Sequence, residues 1–151
     1  MTSLTQKSKY ALKALFYLSR HYQPDQGVQT PVLIAELAEA EHIPRKFLEV
    51  ILLELKHATL LQSRKGKGGG YWLSKKPQDI YLGHVIRIFE GPIAPIACVS
   101  KRHFEACQDC DDIDYCQVRY VMLKVKLAVL DILDKTSLAD VLNADDLPIM
   151  L

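Results

Sequence analysis

Cys98, Cys107, Cys110 and Cys116 are the only cysteines of the chain, and they fall in one window as C-x8-C-x2-C-x5-C. Thiolates gathered this closely suit soft metals, and three chemistries fit the spacing. Zinc takes four thiolates, but zinc ribbons use two close pairs, and here only Cys107 and Cys110 make one. Iron–sulfur clusters are held by thiolates, at times with one non-cysteine ligand. Reduced, unliganded thiols acting as a redox switch are the third reading. The five histidines (His21, His42, His57, His84 and His103) share no metal-binding spacing such as H-x3-H.

A second group of residues points to a polyanion. Between Leu61 and Lys76 lie Arg64, Lys65, Lys67, Lys75 and Lys76, with no acid among them. The formal net charge of +1 hides this asymmetry: residues 1–75 carry 11 Lys and Arg against 6 Asp and Glu, and residues 76–151 carry 8 against 12. A basic segment in a balanced chain marks a local contact with phosphates. Glycines at 66 and 68–70 between these cations let a backbone approach closely. They do not form a nucleotide loop, since the closing Lys-Ser/Thr is absent and a strand follows. With no Ser/His/Asp set and no dinucleotide fingerprint either, a binding protein is expected, not an enzyme. An iron–sulfur redox carrier or metalloenzyme is the reading from another class, and turnover without DNA would mark it.

The elements that must position these residues follow from periodicity. Thr5 caps a helix to about His21, with Tyr10, Ala11, Ala14, Leu15 and Leu18 on its apolar face. Pro24-Asp25-Gln26-Gly27 breaks it. A short helix carries Ile34, Leu37 and Ala38. The next starts at Pro44 and runs to about His57, with Phe47, Leu48, Ile51, Leu52 and Leu55 on one side. Strand-like pieces at Leu60–Ser63 and Gly70–Leu73 flank the basic turn. A helix near Leu82–Glu90 ends at Gly91-Pro92. A long helix runs from Gln117 to about Asp134, and Ser137 caps a short terminal one. The long helix has two apolar stripes side by side, too wide for one contact, which suits packing on its own subunit and on a partner.

The order helix, short helix, turn, helix, hairpin is that of a winged helix-turn-helix. The expected fold is mainly α with a small β-wing, followed by a long C-terminal dimerisation helix. Residues 1–80 form the DNA-binding domain, 81–116 a connecting helix and the cysteine loop, and 117–151 the dimerisation and terminal helices. Arg45, Lys46 and Glu49 would face base edges or phosphates in the major groove. Arg64, Lys65 and Lys67 would serve the wing, on phosphates or in the minor groove. Apolar content of 49% and charged content of 25% are those of an ordinary globular chain. No stretch approaches 18 apolar residues, and the first ten residues lack an apolar core, so neither a membrane span nor a signal peptide is expected and the location is cytoplasmic.

Several stretches carry a resemblance: Ile34-Ala35-Glu36-Leu37-Ala38, Ile43-Pro44-Arg45-Lys46-Phe47-Leu48-Glu49, and Lys65-Gly66-Lys67-Gly68-Gly69-Gly70-Tyr71. With Lys9-Tyr10-Ala11-Leu12, Phe89-Glu90-Gly91-Pro92 and Ser137-Leu138-Ala139-Asp140-Val141-Leu142, the chain resembles the bacterial regulators grouped with IscR, NsrR and CymR, the Rrf-two family. The resemblance implies a homodimeric transcription factor on a pseudo-palindromic operator of double-stranded DNA. It places Lys46 and Glu49 as base-reading residues and Lys65 in the minor groove. Lys9 and Tyr71, inside matching stretches, join the candidate DNA-binding set. It implies dimerisation through the long helix, with Val121, Val125, Ala128 and Ile132 at the interface.

The same resemblance favours an iron–sulfur cluster, 2Fe–2S before 4Fe–4S, which need not survive purification. Cys98, Cys110 and Cys116 match the family's three ligands. The first gap is longer than usual and Cys107 is extra. Arg119 stands where IscR-like members have a histidine ligand, and it stays protonated. The fourth ligand is then open among Cys107, placed first, His103, Asp111 and a residue of the other subunit. Sensing by thiol oxidation or by a small molecule, without metal, is the alternative on the same fold. Other departures are Pro44 for a usual Ser, Lys65 for a usual Arg, and His42 for a turn Gly, which requires a left-handed histidine.

Overall fold

The computed structural model describes residues 3–144. Six helices appear there: α1 (Gln6–Arg20), α2 (Ile34–Glu41), α3 (Arg45–His57), α4 (Leu82–Glu90), α5 (Gln117–Leu133) and α6 (Leu138–Leu142). One antiparallel pair, β1 (Leu61–Arg64) and β2 (Gly70–Leu73), follows α3. This is the expected mainly helical winged fold.

Local chemistry sets the element ends. The Thr5 side chain accepts from the Ser8 N–H and caps α1. Ser137 and Asp140 form a reciprocal capping box on α6. The helix-turn-helix corner is His42, at φ 54° and ψ 45°, so the left-handed histidine is present. The bond from Ile43 N–H to the Ala38 carbonyl (2.9 Å) closes that corner. Pro44 is the residue before α3 and not its first helical residue, and it gives α3 no side-chain cap. The first strand begins one residue later than the pattern suggests, with Leu61 opposite Leu73 and Arg64 opposite Gly70.

The core joins Ala11, Ala14, Leu15 and Leu18 of α1 to Leu37, Ile43, Leu48, Ile51, Leu52 and Leu55. Leu61 and Leu73 of the wing, and Val85 of α4, close it. Leu138 of α6, fully buried, belongs to this same core. The terminal helix therefore folds back on the winged helical unit, held by backbone bonds from the Leu82 N–H to the Thr136 carbonyl and from the Leu138 N–H to the Ile80 carbonyl, each 2.9 Å.

The helix α5 crosses outside that core. Its inward side carries Met122, Lys126, Val129 and Leu133, while Val118, Val121, Val125 and Ile132 are 63, 50, 42 and 64% exposed. Its last turn is tied to α4 by a two-pronged pair, Arg87 Nη1 and Nη2 on the Asp134 carboxylate at 2.6 and 2.8 Å. Gly83 makes room for it, because a Cβ there would stand 2.0 Å from Asp134 Oδ1. Among the described residues no helix is long and apolar enough to cross a membrane.

Candidate functional site

Two regions hold the residues singled out by the sequence. The first is the outer side of α3 with the wing. The side chains of Leu48, Ile51, Leu52 and Leu55 are buried, which turns Arg45, Lys46, Glu49 and Val50 outward. Arg45 Nε pairs with Glu49 Oε1 at 3.5 Å across one helical turn. Lys46, Lys65 and Lys67 are exposed and enter no ion pair among the described residues. Cations without protein partners are the ones that can exchange counterions for phosphates.

The wing turn is braced from within. Arg64 Nη2 donates to the Gly68 carbonyl at 2.8 Å, so this arginine shapes the turn as well as adding charge. The base of the wing is pinned by Val32 and Tyr71, which exchange backbone bonds of 2.9 and 2.8 Å. Gly70 permits that approach: its φ is +143°, and a Cβ would stand 2.3 Å from the Val32 carbonyl oxygen. The half-buried Tyr71 packs against the core, and Lys9 is exposed on α1. The Glu90 carboxylate accepts from the Thr5 N–H (2.9 Å), the Thr5 hydroxyl (2.7 Å) and the Ser8 hydroxyl. The Ser8 bond, then the Thr5 bonds, hold it below the usual carboxylate range.

The second region is the loop between α4 and α5. Cys98 is buried in a short 3-10 turn, Ala97–Val99. Cys107 is exposed, and Cys110 and Cys116 are half-buried. Loss of hydration, then the neighbouring Cys98 thiol and Asp109, push the Cys107 thiol up. Loss of hydration, then the Cys116 thiol, push Cys110 up. The backbone closes a turn here, with the Cys110 N–H on the Cys107 carbonyl at 3.4 Å. Among the described residues no three His, Cys, Asp or Glu donors converge to hold a metal ion. His103 and Asp111 are exposed, and His103 bonds through its N–H to the Ser100 hydroxyl at 3.1 Å.

The start of α5 ties into this site. The Cys116 sulfur is the cap of α5, accepting from the Arg119 N–H at 3.4 Å. Arg119 Nε donates to the Cys98 carbonyl at 3.3 Å. Lys126, two turns on, is buried and donates to the Val99 carbonyl. Sequence periodicity misses Lys126, Arg87, Asp134 and Glu90. The one signal is a lone lysine within the apolar inner stripe of α5.

A family profile described as Rrf2, iron-dependent transcriptional regulator, matches residues 4–144. A candidate rrf2-like HTH-type transcriptional regulator of Rhodobacter capsulatus is 39% identical over 141 residues, 93% of each chain. The HTH-type regulator CymR of Bacillus subtilis is 27% identical over 95% of this chain and 91% of that relative. The solved structure of B. subtilis CymR, titled the global cysteine regulator, superposes with a TM-score of 0.76 at 27% identity, covering 97% of this chain and all of that one. T. potens IscR gives 0.70 at 28% identity, over 93% of this chain and 85% of that one.

Proposed function

Since the chain belongs to the Rrf2 family of transcriptional regulators, we propose that it is a homodimeric, cytoplasmic DNA-binding regulator whose operator affinity is set by an iron–sulfur cluster at Cys98, Cys107, Cys110 and Cys116. The observation that carries the sensing half is the gathering of the cysteine segment at the start of α5, where Arg119 bonds both the Cys116 sulfur and the Cys98 carbonyl and a turn closes Cys110 on Cys107. A 2Fe–2S cluster would be held by four thiolates, and Cys98, Cys107, Cys110 and Cys116 would supply them. The residues present fit that group, and the family description, iron-dependent, agrees with it.

When bound, the cluster supplies a redox-active, oxidant-labile group. The rest is done by this chain. Loading takes the four thiol protons. The outer stripe of α5, with Val121, Val125, Ala128 and Ile132, is covered by the same stripe of a second copy. Lys46 and Glu49 read base edges, while Arg45, Lys9 and the wing cations Arg64, Lys65 and Lys67 hold the backbone. Tyr71 acts through the wing base it pins. Two recognition helices must sit one helical turn apart on a palindrome, so a change at the start of α5 changes operator fit.

Four single Cys→Ser variants, reconstituted anaerobically with iron and sulfide, test the ligand set. Serine is a harder, weaker donor, so each variant is expected to lose the visible absorption and iron of the wild type. A Cys107→Ser protein with a full cluster removes Cys107 from the set. Four variants that all keep it refute the cluster, and the thiols then favour sensing by disulfide formation.

A further inference from the structure

Lys126 is the one charged side chain buried among the described residues, with 7% of its surface exposed. A buried ammonium is costly unless something answers its charge. No carboxylate pairs with it among the described residues; its bond goes to the neutral Val99 carbonyl. That carbonyl belongs to the turn that carries the buried Cys98. The Arg119 guanidinium holds the next carbonyl back, that of Cys98 itself, while its N–H reaches the Cys116 sulfur. Two cations on α5 therefore grip consecutive carbonyls of the Cys98 turn. The backbone N–H of Arg119, separately from its side chain, caps onto the Cys116 sulfur.

We propose that Lys126 and Arg119 are positioning residues of the sensor: they clamp the Cys98 turn to α5 and answer the negative charge that the thiol site acquires on loading. This rests on the iron–sulfur reading for its charge half only. Thiols are neutral, but a set of thiolates around iron and sulfide is anionic, and cations beside it favour the more reduced form. The clamp makes Cys98 and the dimer helix move together. The site thereby has a mechanical link to the helix, beyond the ligand bond at Cys116.

The test uses the full-length protein and the variants Lys126→Met, Lys126→Arg and Arg119→Gln. Methionine keeps the stem volume and leaves the Val99 carbonyl unbonded. In reduced, metal-free protein, the alkylation rate of each thiol by iodoacetamide is read by peptide mass spectrometry. Lys126→Met and Arg119→Gln are each expected to speed Cys98 about tenfold, leave the exposed Cys107 within twofold, and keep the wild-type circular dichroism. Lys126→Arg restores protection. In the reconstituted protein, loss of either cation is expected to lower the one-electron potential, by about 59 mV for a tenfold effect. Unchanged Cys98 protection in both variants overturns the clamp. An unchanged potential with a lost clamp overturns the charge role. A wild-type chain that takes up no iron refutes the proposed function instead, while the alkylation result still decides the clamp. Should Lys126→Met fail to fold, Arg119→Gln carries the same comparison.

Discussion

The wing can be separated from the rest of the DNA interface by its salt dependence. Lys65 and Lys67 are exposed and unpaired, whereas Arg64 is spent partly on the Gly68 carbonyl. The double variant Lys65→Ala, Lys67→Ala removes two free cations from each wing and leaves the brace intact. In a dimer with both wings on DNA, about four phosphate contacts disappear, and each is worth about 0.9 in the slope of log K against log salt. The slope should therefore become shallower by about 3.6. Between 50 and 200 mM salt, the wild type should lose about 150-fold more affinity than the variant loses. Fluorescence anisotropy with a specific and a random duplex, each across five salt concentrations, measures this. The loss should be alike for both duplexes, since phosphates carry no sequence. An unchanged slope for both would show that the wing does not lie on DNA. A loss confined to the specific duplex would mean that these lysines read bases.

Val125, 42% exposed on the outer side of α5, would be covered in the dimer. Val125→Asp places an unpaired carboxylate there, at a cost of about 3 kcal/mol or more, so dimerisation should weaken by about 100-fold or more. Sedimentation velocity should show monomer where the wild type is expected to form a dimer, and an unchanged dimer would clear α5 of the interface. Thr59 follows α3 at φ 62°, a left-handed conformation poorly suited to a β-branched residue. Thr59→Gly should therefore stabilise by about 1 kcal/mol, raising Tm by about 2–4 °C, and a lower Tm would contradict that strain. Glu90 has its carboxyl held low by Ser8 and Thr5, so its contribution is present above the ordinary Glu pKa, about 4.3, and is lost as pH falls through the folded value. Urea midpoints of Glu90→Gln and wild type should differ at pH 7 and converge as the pH drops below 4; a constant gap would break that link.

What the sequence by itself determines here is local. Spacings of three and four put Leu48, Ile51, Leu52 and Leu55 on one side of α3 and so turn Lys46 and Glu49 outward. Gly70 and the cations around it announce a wing, while the left-handed backbone of His42 is implied by the family resemblance, which has glycine in that turn. Each of these depends on neighbours within one or two turns, where period and backbone preference are enough. The cysteine window announces soft-metal or redox chemistry for the same reason. Only the tertiary structure decides which thiol is covered. Cys98 is buried and Cys107 exposed within one irregular loop that has no period to read. It also decides which stripe of α5 turns inward, since two apolar stripes side by side look alike until one packs. The burial of Lys126, the closure of Arg87 on Asp134 through the space at Gly83, and the return of Leu138 to the core join residues distant in the chain. Such contacts depend on how whole elements dock, and a one-dimensional pattern holds no record of that docking.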